Sequence, residues 1–552
     1  MAKNIKVSTT EKFISSFSGS VPVGTVVETL GYTTEGDGGG ASWKKTATTG
    51  TASQSPAQLV DALLNDASGN QWALVHGGTI DPLKLGATEA ADDNFNLLQA
   101  VLNAGKIIDL KDNFFKYNGT LTSSKVGAGI VGNGSSACGL QPTSTTANCI
   151  AFEDAAGPMR GAVFKGFSIS PTPNSKTAGK ALKLDGVRNF IINDVIIDKG
   201  FWGIHMLGCS QGFIDNVLII YENDNGGVIS GRKYIRIEET ANANITTKHS
   251  GDLFFTNFNG RCGGTPYCEV GIEIHSGDGV WFDNYHVGNC TYTNVWINAD
   301  RTARCTGLKF SNGWHDIGTG SGTIITGSTP STVGKYQFLG VKLLGGNIGD
   351  SGYDIDGGAE DIQIGGAGTE ISGYRQRGIR IRAGFTGSLT ARGFNIHDCS
   401  LTNAGVYDGI VDESTSGDVR LEDGEITGAD HRYHVNLQQA KSSNYVRNID
   451  VSKSSAVSGS ISHPFATDSI IDNNKGYNPT GANSPVVGAS PWTFPNNRGY
   501  PVRLVSTGGA VSQIKINNTV INAKSEIDIV LSVSESVEIT YSVTPAVYVF
   551  GV

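Results

Sequence analysis

The sequence is short of several things. Charged residues make up only 17% of its 552 positions, and it has 16 prolines and 3 methionines. No run of 18 apolar residues occurs, so no membrane-spanning helix is expected. The opening MAKNIKVSTTEKF has no apolar stretch of the signal-peptide kind. The expectation is a protein that works in the cytoplasm or leaves the cell by a route other than secretion. Basic residues number 42 against 51 acidic ones, a formal net charge of -9. That argues against a nucleic-acid partner, whose phosphates favour a basic face.

Metal and cofactor motifs are missing as well. The eight cysteines (Cys138, Cys149, Cys209, Cys262, Cys268, Cys290, Cys305 and Cys399) show no C-x-x-C spacing. Free buried thiols are therefore expected, and no zinc site. Cys262 and Cys268, on either side of a Gly-Gly-Thr-Pro turn, are the one pair that could join. GDGGG at 36–40 lacks the Lys-Ser/Thr that would follow in a phosphate loop, so it reads as a sharp turn. Asp354 and Asp356 flank Ile355 and would project together to hold a cation or a sugar, but they lack the spacing of a calcium loop. The expectation is no metal and no cofactor.

Glycine is what the chain has in excess: 74 residues, about twice the usual share. Without a collagen period, that suggests many tight turns between short strands. A repeat runs through the middle. GIHML from Gly203, KYIRIEE from Lys233, GIEIHS from Gly271, NVWINA from Asn294 and GIRIRA from Gly378 each alternate apolar and variable residues. Ile204, Met206, Ile235, Ile237, Ile272, Ile274, Val295, Ile297, Ile379 and Ile381 would point one way. His205, Arg236, Glu273, Trp296 and Arg380 would point the other.

IDNV, FTNF, FDNY and FSNG follow the first four segments and align Asn216, Asn257, Asn284 and Asn312 at spacings of 41, 27 and 28 residues. Asparagines stacked at a turn can hydrogen-bond along the stack while tolerating left-handed backbone angles. A loose repeat of strand, turn and strand reads as a parallel β-helix, whose coils must stack to bury their apolar sides. The rival, an array of β-sandwiches, would need hairpins, and few Asn-Gly or Asp-Gly links join paired strands.

The ends differ from the middle. ADDNFNLLQAVLNAG predicts a short helix over about 91–104, with Asp92 or Asp93 as cap and Gly105 as stop. VSQIKIN, SEIDIVLSV and SVEITYSV, near the C-terminus, predict antiparallel strands of a small β-sandwich. The division expected is 1–80, 81–475 and 476–552.

Three segments resemble a known family. GYTTEGDGGGASW at 31–43 resembles the glycine-rich segment near the start of many phage tailspikes and tail fibres. LGATEAADDNFNLLQAVLNAG, from Leu85, resembles the helix that precedes their pectate-lyase-like β-helix. GYNPTG and VGASPWTF, from Gly476 onward, are similar to a small C-terminal β-domain of several capsular depolymerases. The resemblance implies an all-β protein built on a right-handed parallel β-helix and assembled as a homotrimer. Residues 1–80 would attach to the phage tail, and 476–552 would serve trimerisation or carbohydrate binding. It implies a virion protein, assembled in the host cytoplasm, that binds and cleaves a bacterial surface polysaccharide, capsule or O-antigen, outside the cell. It carries no short catalytic signature.

The candidate site is read from the residues. Glycoside hydrolysis uses two carboxyl groups, about 5 to 5.5 Å apart for retention and about 6.5 to 9.5 Å for inversion. The alignment sets Glu238 and Glu273 diagonally on adjacent coils, with backbones about 8 Å apart given ordinary strand spacings. Both are candidate catalytic acids, and Asp278 and Asp283 are further carboxylates. Arg236 and His275 would adjust them or hold a substrate carboxylate. Trp281, Trp296 and Trp314 would stack on sugar rings, with His315 and Asp316 beside Trp314. The bland readings are turn chemistry for Asp278 and Asp283 and a solvated face for Asp412, Glu413, Glu422, Asp423 and Glu425. Two other functions fit the same scaffold. A lyase would need a base and a cationic neutraliser, for which Arg236, His275, Arg301, Arg304 and Arg380 are available. A receptor-binding fibre would need neither.

Overall fold

The computed structural model describes residues 4–16, 21–49, 64–153, 158–172, 177–221, 230–262, 268–300, 304–316, 318–327, 334–439, 444–463, 470–477, 484–496, 501–522, 526–532 and 534–551. The chain forms two compact units, Met1–Thr291 with Ala303–Leu308, and Tyr292–Thr302 with Lys309–Val552. Arg301 lies outside the described residues.

In the first unit, Asn4–Val7, Val26–Thr29, Ser42–Thr49, Asn70–Leu74 and Leu64–Asn65 make a five-stranded sheet. It packs the helix Thr10–Ser16 through Phe13, whose ring meets Trp72 edge-on at 5.0 Å. GDGGG is a sharp turn held by one side chain. The Asp37 carboxylate accepts the backbone N–H groups of Tyr32, Thr33, Thr34 and Gly39 at 2.8 to 2.9 Å. The expected helix is present but shorter, Phe95–Asn103. Asp93 does not start it; its carboxylate accepts the N–H groups of Phe95 and Asn118 and so joins the helix start to the end of the strand Phe114–Tyr117. Gly105, at φ 68°, turns the chain out of the helix as expected.

The rest of the first unit is a parallel β-solenoid. The strands Lys180–Asp185, Trp202–Leu207, Lys233–Glu238 and Cys268–Ile274 pair in parallel, one per coil. Their register runs Lys183, His205, Arg236, Glu273. The alternation is obeyed inside: Ile204, Met206, Ile235, Ile237, Ile272 and Ile274 are fully buried. Like residues stack coil on coil, as Phe255 and Phe282 do with ring centroids 4.2 Å apart. Each buried side chain of this size contributes roughly 1.5–3 kcal/mol, and no coil could bury its own.

The asparagine column forms a ladder. Asn216, Asn257 and Asn284 all have φ near 50°, which most residues avoid. The Asn284 amide donates to Asn257 at 2.6 Å, and the Asn257 amide donates to Asp215 at 2.8 Å. Asp194 extends the column by one coil, taking the Asn216 amide at 3.2 Å.

The second unit continues the same physics with its own coils. Val295, Ile297, Ile379 and Ile381 are buried, and Phe310 stacks on Phe338 at 5.0 Å. Asn312 has the same left-handed angle. A second ladder occurs here: the Asn448 amide donates to Asp423, and the Asn473 amide donates to Asn448. Towards the C-terminus lie two antiparallel sheets. One orders Trp492–Pro495, Ser536–Val543, Ala510–Ile516 and Thr519–Asn522; the other orders Ile527–Leu531, Val502–Thr507 and Ala546–Gly551. Both feed one apolar core that includes Leu504, Leu531, Val537, Ile539 and Val549.

All eight cysteines are free and buried, Cys262 and Cys268 included, so that pair does not join. Burial pushes the Cys209 and Cys399 thiols up to about 12.

Candidate functional site

Alternation on the strands of the first unit places one set of side chains inside and the other outside. The outside set converges. Arg236 reaches Glu238 on its own strand at 2.8 Å and Glu273, in register on the next, at 3.5 Å. Lys233 Nζ lies 2.7 Å from the same Glu273 oxygen, Oε2. His205 Nε2 is 2.7 Å from Glu238, and His275 Nε2 is 2.8 Å from Glu273. Two carboxylates on adjacent coils are thus bridged by one guanidinium, and each is flanked by an imidazole.

The charges set one another. Burial by itself pushes the Glu238 carboxyl up, but the hydrogen bonds from His205 and Arg236 and the Arg236 charge outweigh it and bring it down to about 2. Glu273 behaves alike: burial raises it, and His275, Lys233 and Arg236 together bring it to about 2. Both are carboxylates at neutral pH. His205 is lowered too, but here burial prevails: it outweighs Glu238 and holds the imidazole below its ordinary range, which favours the uncharged form.

Four expected residues, Arg236, Glu238, Glu273 and His275, come together here. One aspect of the expectation is corrected. Alternation turns Glu273 and His275 outward, yet they are only 2% and 5% exposed. Each finds its hydrogen-bonding partner in a neighbouring side chain instead of in water. The other candidates of this unit lie on a different strand, Gly277–Asp283. Asp278 pairs with Arg304 at 3.2 Å and lies 3.8 Å from His249. Asp283 is exposed beside Asn284. Trp281, 46% exposed, ends an outward column formed by Ile191, Phe213, Phe254 and Trp281 in register. Phe213 stacks on Phe254 at 5.3 Å, and Trp281 meets Phe254 edge-on at 4.8 Å.

In the second unit, Trp296 is half-buried and donates to the Thr326 hydroxyl at 3.0 Å. Trp314 is 48% exposed, with Asp316 half-buried two residues on. His315 does not face a ligand: it is fully buried and bonds Thr323 at 3.2 Å. The strand Trp314–Asp316 alternates, so its middle residue points inward. Asp354 and Asp356 also separate in role. Asp354 is buried in a two-pronged pair with Arg382, while Asp356 lines a cavity of about 510 Å³ with Asn298, Asp300 and Thr326. The acidic group near 412–425 is not one solvated face. Asp412 is buried against Ser414, Glu413 pairs with Arg380, and Asp423 belongs to the ladder.

Sequence reasoning missed His205, Lys233, Trp202 and Lys180 as members of the first cluster, and Phe213 and Phe254 as rungs. The rungs were detectable: each stands three residues before an aligned asparagine. The two lysines and the indole were not, because Lys180, Trp202 and Lys233 stand at strand starts, before the alternation begins.

A parallel β-solenoid with an outward cluster of carboxylates, imidazoles and cations defines the class. No protein-family model matches the chain, and no curated protein matches it in sequence. Solved structures do resemble it. The tailspike gp49 of Acinetobacter baumannii bacteriophage Fri1, a capsular polysaccharide depolymerase, is 11% identical, covering 99% of this chain and 97% of that one, with a TM-score of 0.46. The tailspike of Acinetobacter phage vB_ApiP_P1 is 11% identical over 100% of this chain and 99% of that one, at 0.44. The catalytic unit of the GH87 α-1,3-glucanase from Streptomyces thermodiastaticus is 12% identical over 75% and 74%, at 0.46.

Proposed function

We propose that this chain is a phage tailspike that binds a bacterial surface polysaccharide and cleaves it internally. Residues 1–80 would attach it to the phage tail, and it would act as a homotrimer at the host surface. One observation carries the enzymatic part: Arg236 bridges Glu238 and Glu273 on adjacent coils, inside a cluster that also holds two imidazoles and Lys233. Buried like charges are costly to assemble, and perturbed carboxyls gathered at one place mark a candidate site.

Hydrolysis would use Glu238 and Glu273 as the carboxylate pair, with Asp278 and Asp283 the remaining carboxylates on a neighbouring strand. Arg236 and His275 would orient the pair. Trp281, Trp296, Trp314 and Asp316 would contact sugar rings within their own units. One observation favours a second reading, β-elimination. Both carboxyls lie at about 2, so neither holds the proton that a glycosidase acid must supply. Elimination needs a neutral base and a cation that stabilises charge on a uronate. The uncharged His205 and the cations Arg236 and Lys233 are of those types.

The test is polysaccharide length by size-exclusion chromatography, over a panel of capsules and O-antigens, with ultraviolet absorbance read in parallel. Shortening without new absorbance means hydrolysis, and with it means elimination. If the reaction is hydrolysis, Glu238→Gln should slow cleavage at least 100-fold, the low end of acid–base contributions; if it is elimination, His205→Gln should do so. A glycan bound but never shortened would leave a binding-only fibre.

A further inference from the structure

The cations around Trp202 are not all paired. Trp202 stands half-buried at the start of its strand, its indole N–H donating to the Gly231 carbonyl at 2.7 Å. Three cations surround its ring. Lys180 Nζ is 4.7 Å from the centroid, the Arg236 guanidinium carbon 5.2 Å and Lys233 Nζ 5.8 Å. All lie within the range of a cation–π contact. Lys180, Trp202 and Lys233 occupy one register column of three coils.

Two of the three cations are neutralised. Lys233 pairs with Glu273, and Arg236 with Glu238 and Glu273. Lys183, near by on the Lys180 strand, pairs with Glu153 at 2.7 Å. Lys180 has no carboxylate within ion-pair distance among the described residues. Burial, with Lys183 and Arg236 repelling it, holds its ammonium below the ordinary lysine range. The group as a whole sets four cations against three carboxylates, and the odd charge is Lys180, beside the partly accessible indole.

An anion in this place would satisfy the ammonium, and a ring attached to it would meet an aromatic surface. We propose that Lys180 and Trp202 form a subsite for a sugar that carries a carboxylate, a uronic-acid residue of the polymer. Lys180 would take the carboxylate, and Trp202 would pack against the ring's C–H face. The proposal rests on the polysaccharide reading above and narrows its substrate class to acidic glycans.

The experiment uses the full-length protein and saturation-transfer NMR with three probes: glucuronate, galacturonate and glucose. At least one uronate should bind saturably, and glucose should not compete with it. Lys180→Met should weaken uronate binding about 10-fold or more, the loss expected for one charge-assisted hydrogen bond. Lys180→Arg should restore most of it, which guards against a fold defect in the Met variant. Equal uronate binding by Lys180→Met, equal competition by glucose, or no saturable binding of either uronate would overturn the subsite. The readout is separable from cleavage. Uronate binding that depends on Lys180 without any shortened glycan would retain the subsite and remove the enzyme. A glycan shortened equally before and after chemical reduction of its carboxylates, at equal rates by Lys180→Met, would do the reverse.

Discussion

The ammonium of Lys233 lies 2.7 Å from the Glu273 carboxylate, an ion pair between adjacent coils in which neither side chain is more than 9% exposed. Both charges have left water, so each depends on the other. Glu273→Gln should destabilise the first unit by about 3 kcal/mol, the low end for leaving a buried charge unpaired. Lys233→Met made in the same chain should recover part of that loss. A double-mutant cycle by denaturant unfolding measures the coupling, and additive losses would mean that the pair contributes nothing.

The same cluster predicts an acid limit. Glu238 and Glu273 have folded values of about 2 against an ordinary 4.5. Carboxyls lowered in the folded state stabilise it fully above the ordinary value, and that contribution fades as pH falls towards the folded one. Stability of the first unit should decline between about pH 4.5 and 2. The Glu238→Gln variant should decline less steeply over that window in thermal melts.

His431 in the second unit predicts an earlier acid effect. It is fully buried, and neither ring nitrogen has a hydrogen-bond partner among the described residues. Burial, reinforced by the nearby His434, lowers it from 6.5 to about 4. A base lowered in this way favours the fold above its ordinary value and costs stability as pH falls from 6.5 to 4, by roughly 3 kcal/mol in all. His431→Phe, a ring without a proton site, should flatten the unfolding midpoint over that range.

The asparagine ladder predicts an order of substitutions. Asn257 has φ 53°, accepts the Asn284 amide and donates to Asp215. Asn257→Gly keeps the backbone angle and loses the amide bonds, at about 1 kcal/mol. Asn257→Ala loses them and adds left-handed strain of about 1–2 kcal/mol. Alanine should therefore melt lower than glycine, and the reverse order would show that the left-handed angle does not limit which residue stands here.

Ile272 tests the inward parity directly. It is fully buried, so Ile272→Asp places a carboxylate in the apolar column at more than about 4 kcal/mol. Insoluble protein is expected, whereas Asp283→Ala, exposed at the turn, should express and melt as the parent does. A soluble, cooperatively melting Ile272→Asp would count against the parity.

Period-two alternation was enough to tell the inside of the coils from the outside. Ile235, Ile237, Ile272 and Ile274 could be placed because a strand turns every second side chain to the same face, whatever surrounds it. The asparagines were readable for a similar reason: a left-handed turn accepts few residue types, so the requirement stays visible in the chain. His315 was misjudged only where the parity of Trp314–Asp316 was not applied. What an outward residue meets was beyond the sequence. Glu273 is buried because Lys233 and Arg236 arrive from the preceding coil, 37 residues earlier for Arg236, and coil length varies too freely to predict that register. Lys180 illustrates the same limit. Its charge is written in the chain, but that no carboxylate among the described residues answers it is decided by how neighbouring coils stack, since ion pairing depends on distances of a few ångströms that only tertiary packing sets.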